Sequence, residues 1–89
     1  TIRNLVEYFA RVQSTPSRHM SREENIAIVD RAVEALPETY RRVVTRTFIE
    51  GRPIAEVAEE MGRTSGAIHM IRWRALRRLG ELLGSPSRY

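Results

Sequence analysis

The stretch Ile54-Ala55-Glu56-Val57-Ala58-Glu59-Glu60-Met61-Gly62-Arg63-Thr64-Ser65-Gly66-Ala67-Ile68-His69-Met70-Ile71 decides how this chain folds. Its pattern predicts two short helices joined by a tight turn. Apolar or small residues fall where two crossed helices would touch: Ile54, Val57, Ala58, Met61, Ile68 and Ile71. Ala58 is small enough to let the second helix approach the first. Gly62 stands where the chain must leave the first helix, and glycine takes a left-handed conformation without a Cβ clash. Thr64 or Ser65 can cap the helix that follows. This is the helix-turn-helix layout, whose second helix enters the DNA major groove.

Working outward, the flanks read as further helices. Upstream, Pro37 suits a helix start, and Tyr40, Val43, Val44, Thr47 and Phe48 form its buried stripe until Gly51 stops it. Before it, Ser21-Arg22-Glu23-Glu24 fits a capping box, leading into a stripe of Ile26, Val29, Val33 and Leu36. Downstream, the second helix of the motif continues to about Leu83, with Ile68, Ile71, Ala75, Leu79 and Leu82 on its inner face. The expected fold is all-α: a compact helix-turn-helix domain of four helices over 21–84, with a frayed tail at 85–89. Residues 1–20 read as a further N-terminal helix and a linker remnant. Its helical stripe is Ile2, Leu5, Val6, Phe9 and Val12, and Gln13-Ser14-Thr15-Pro16-Ser17-Arg18 has linker composition. That stripe needs a partner, by docking on the same domain, by self-association, or within a longer protein. A first residue Thr1 rather than methionine suggests a fragment.

Composition narrows the function. At 89 residues there is room for one modest core and little for an enclosed active site. The absence of cysteine excludes a disulfide frame, a thiolate metal site and a thiol nucleophile. No apolar run approaches the roughly 20 residues that span a bilayer, so a cytoplasmic protein is the simplest expectation, with no membrane partner. His69 and His19, the only two histidines, form no metal-ligand spacing, and no cofactor is expected. Glu56, Glu59 and Glu60 pair with no nucleophile or metal, so they read as a solvated or docking face and the chain is not expected to be an enzyme.

Charge is unevenly distributed. The net charge is +4, and 61–80 holds five arginines (Arg63, Arg72, Arg74, Arg77, Arg78) without an acid. All fifteen basic residues are arginine. Base composition of the genome is the plainer source of that bias, whereas the placement of the arginines carries information. An acid-free face of this kind repels itself on a solvated helix and suits phosphate contact. Trp73 lies roughly 200° round the helix from Ile71. It is expected to cover the N-terminal helix, with a binding role as the alternative.

These residues carry a family likeness. Leu36-Pro37-Glu38-Thr39-Tyr40-Arg41-Arg42-Val43-Val44 through Phe48-Ile49-Glu50-Gly51 resembles the opening of region 4 of bacterial RNA polymerase sigma factors. Ile54 to Gly62 resembles its first helix-turn-helix helix. Ile68-His69-Met70-Ile71-Arg72-Trp73-Arg74-Ala75-Leu76-Arg77-Arg78-Leu79 resembles its recognition helix. The small Ser65-Gly66-Ala67 entry is most similar to the extracytoplasmic-function group. The resemblance implies a domain that binds the −35 element of double-stranded promoter DNA and docks on the β-subunit flap of RNA polymerase core. An anti-sigma factor is a further implied partner, and a monomer is expected. Carried over by position, Arg63, Thr64, Ser65, Gly66, Ala67, His69, Met70, Arg72, Trp73, Arg74 and Arg77 form the DNA-binding set. Many members carry lysine or arginine where His69 and Met70 stand, so the base-reading edge departs from the pattern. Two alternatives stay open: a stand-alone helix-turn-helix regulator binding as a dimer, and a helical module that binds polymerase or an anti-sigma factor with little DNA affinity.

Overall fold

A computed structural model describes residues 2–12 and 22–83. The capping box at Ser21, the linker composition at 13–18 and the tail at 85–89 lie outside the described residues. Five α-helices and one π-helical segment follow in order: α1 (Ile2–Val12), α2 (Arg22–Glu34), α3 (Glu38–Val44), the π segment (Thr45–Ile49), α4 (Ile54–Met61) and α5 (Ser65–Leu82). Among the described residues there is no strand.

The motif at the centre is built as its residues dictate. α4 ends in a Schellman motif: Gly62 is left-handed at φ 66°, its N–H donates to Glu59 O, and Arg63 N–H donates to Ala58 O at 2.9 Å. The turn ends at Thr64, whose backbone is extended and whose Oγ1 accepts the Ala67 N–H at 3.1 Å. Of the two candidate caps, Thr64 is the one used. Val43, Val57, Ala58 and Ile68 are buried together, with Ile54, Met61 and Ile71 partly buried around them.

A second cluster covers the other end of α5. Leu5, Phe9, Val29, Ala32, Val33, Leu36, Val44, Ala75, Leu76 and Leu79 are buried in it. α1 packs on α2 and on the π segment, so its apolar stripe finds its partner within the same chain. Leu5 and Phe9 are completely buried.

Three details differ from the sequence reading. The third helix does not run as one α-helix to Gly51: it widens at Thr45, where Glu50 N–H reaches back to Thr45 O across five residues. Thr47 Oγ1 donates to Val43 O at 2.8 Å within this stretch, the kind of back-bond that distorts a helix. Tyr40, Thr47 and Phe48 are half-buried rather than core. On α5, Leu82 is exposed while Leu76 and Gly80 are buried, because the helix meets α2 and α3 with a face rotated from the predicted stripe at its C-terminal end.

Candidate nucleic-acid interface

α5 presents two opposite faces. Ile68, Ala75 and Leu79 point into the core. Gly66, His69, Met70 and Trp73 recur at i, i+3, i+4 and i+7 on the opposite side, where they line an open hollow of about 390 Å³. Met70 is 49% exposed and Trp73 54%. Ser65 and Gly66 are exposed at the helix start and Ala67 is half-buried. Arg63 and Thr64 are exposed in the turn before it.

The arginines separate by position round the helix. Arg74 and Arg77 are exposed, and the Arg77 guanidinium lies 5.1 Å from the Trp73 ring centroid. That contact overturns the expectation that Trp73 covers the N-terminal helix. The indole stands on the outer face, and the ring that meets α1 is Phe48, 5.5 Å from Tyr8. Arg72 is turned the other way. Its guanidinium carbon lies 4.5 Å from the Phe48 centroid, and its Nε is buried without a hydrogen-bond partner. The structure thus brings together Arg63 to Ala67, His69, Met70, Trp73, Arg74 and Arg77 on one surface, and draws Arg72 towards the π segment.

The acidic end is not a bare carboxylate face. Arg46 Nε donates to Glu60 Oε2 at 3.0 Å and Arg46 Nη1 to Glu50 Oε2 at 3.2 Å. Arg52 reaches Glu56 Oε1 at 2.6 Å and Glu60 Oε1 at 2.7 Å. The hydrogen bond from Arg46 holds the Glu60 carboxyl below its ordinary value against partial desolvation, and the charges of Arg46 and Arg52 add to it. The bond to Glu56 raises Arg52, aided by Glu60, Glu56 and Glu50. Two pairs of this network, Arg46–Glu50 and Arg52–Glu56, lie four residues apart along the chain. The Arg46–Glu60 bond joins the π segment to α4 and needs the fold to bring its ends together. Among the described residues no cluster of His, Asp or Glu could hold a metal ion, and no helix is long and apolar enough to cross a membrane.

A capped helix whose outer face carries several arginines, seated across a Schellman turn on a short supporting helix, defines a helix-turn-helix protein. The family model of sigma-70, region 4 matches residues 26–79. Over 64 residues, 72% of this chain, the sequence is 39% identical to the ECF RNA polymerase sigma factor BldN of Streptomyces coelicolor. The chain spans about a quarter of that relative's length, 24%. No solved structure matches. The chain belongs to the sigma-70 region 4 family.

Proposed function

We propose that this domain binds the −35 element of promoter DNA as part of a sigma factor of the extracytoplasmic-function group, and so helps direct RNA polymerase to its start sites. The observation that carries this reading is the outer face of α5. It bears the exposed Arg74, Arg77 and Arg78 with a single acid, Glu81, at its far end, and Arg63 is exposed in the turn before it. The carboxylates of Glu56 and Glu60 are held by Arg52 and Arg46 on a different side. Seated in the major groove, the α5 N-terminus and Thr64, Ser65, Gly66, Ala67, His69 and Met70 meet base edges or the nearest phosphates. Arg63, Arg74 and Arg77 neutralise backbone phosphates. Trp73 extends the contact surface.

The domain does no chemistry in this reading: it holds the polymerase in register. The β-subunit flap and an anti-sigma factor are its proposed protein partners, in the cytoplasm. Burial of the α1 stripe within the same chain supports a monomer over a dimer seamed by that helix.

Arg74→Ala combined with Arg77→Ala tests the reading. Each phosphate contact contributes about 0.9 to the log–log salt slope. The double variant is expected to lose about 1.8 of slope with an unchanged melting temperature. Equal affinity and equal slope for wild type and variant would overturn the assignment.

A further inference from the structure

We propose that α5 reads its site through the methyl groups of thymine, with Met70 as the principal reading side chain and Trp73 closing the same apolar strip. The inference rests on the promoter-binding reading and specifies what the helix recognises. Direct hydrogen-bonded readout uses arginine or lysine for guanine, asparagine or glutamine for adenine, and a carboxylate for cytosine. None of those types occurs from Ser65 to Ile71. The Thr64 Oγ1 is held in the helix cap, and Arg72 is drawn back onto Phe48. Beside the exposed Ser65 and His69, what the tip of the helix presents is apolar. Met70 and Trp73 are the large exposed hydrophobic side chains of its outer face, and they share one hollow with Gly66 and His69.

In the major groove, thymine alone among the four bases offers an apolar group, its C5 methyl. A thioether chain is flexible and polarisable and moulds to such a group. The strip from Gly66 to Trp73 is about 10 Å long at 1.5 Å per residue, a span of about three base pairs. Gly66 is helical, and a Cβ there would meet nothing nearer than Thr64 Oγ1 at 4.0 Å. Packing within the domain therefore does not require glycine at this position, and its bare backbone leaves room for a base edge. Charge identifies the occupant as a polyanion rather than an apolar protein surface. Arg63, Arg74 and Arg77 border the strip, and Arg77 lies against the Trp73 ring.

The test starts from duplexes selected by this chain from a random library at low salt. Each thymine of the selected site is then replaced in turn by uracil, which keeps base pairing and removes only the methyl. At one or two positions uracil is expected to weaken binding about fourfold, the factor for one lost apolar carbon. Met70→Ala is expected to bind thymine and uracil duplexes equally. A selected site that tolerates uracil throughout overturns the proposal while leaving promoter binding standing. DNA binding that is untouched in both Met70→Ala and Trp73→Ala also overturns it, and assigns the strip to a protein partner. Failure to select any duplex overturns the promoter-binding reading, and this inference falls with it.

Discussion

Arg46 in the π segment donates from Nε to Glu60 Oε2 on α4 at 3.0 Å, a bond that ties the support of the domain to the helix beneath its recognition helix. Fourteen residues separate the partners. Arg52 reaches the other oxygen of the same carboxylate at 2.7 Å, so Glu60 is held from two sides.

Removing the charge at Glu60 should therefore lower stability in a pH-dependent way. The native carboxyl titrates below its ordinary value, chiefly through the Arg46 hydrogen bond. The unfolded chain takes up this proton at a higher pH than the native one. The stabilisation is thus full above the unfolded value and is lost as pH falls through the lowered native value. Arg52, shifted upward, keeps its charge throughout that window. Glu60→Gln is expected to melt below wild type at neutral pH, and the gap should shrink with added salt and close in acid. Identical melting curves at neutral pH and low salt would show that the network contributes nothing.

Phe9 tests whether α1 is part of the folded unit. It is completely buried and meets Tyr8 edge-on at 5.1 Å between centroids. Phe9→Ala is expected to cost about 3–5 kcal/mol, most of what a domain of this size has. Urea melts measure it, and a loss below about 0.5 kcal/mol, the usual scale of a surface change, would place α1 outside the cooperative core.

Arg72 and Arg74 should part company. Arg72→Ala removes the guanidinium from over Phe48 and is expected to cost about 0.5–1 kcal/mol of stability. Arg74 is exposed, and Arg74→Ala should leave stability unchanged while reducing the salt dependence of DNA binding. Equal denaturation midpoints for the two variants would mean that the Phe48 contact carries no weight.

Much of this was legible in the sequence because its causes are local. Gly62 adopts the left-handed conformation that its position between Met61 and Thr64 demanded, at φ 66°. Thr64 caps α5 through a bond to a residue three places on. Val57, Ala58 and Ile68 are buried because their spacing puts them on facing sides of two consecutive helices. The absence of strong donors between Ser65 and Met70 is likewise a fact of the sequence, and it is what directs attention to the apolar strip.

The sequence by itself determined the helix-turn-helix, its turn, the inner stripe of the motif and the family. Only the tertiary structure decided where the outward residues went. Trp73 could lie on α1 or stand free on helical periodicity alone, and the fold set Phe48 against Tyr8 of α1 instead. Arg72 and Arg74 are the same residue type two positions apart, yet about 200° of rotation sends one to an aromatic ring and the other to solvent. The Arg46–Glu60 bond has the same origin. Caps and turns are set by neighbours along the chain, whereas rings and ion pairs are chosen among surfaces that meet only after the chain has folded.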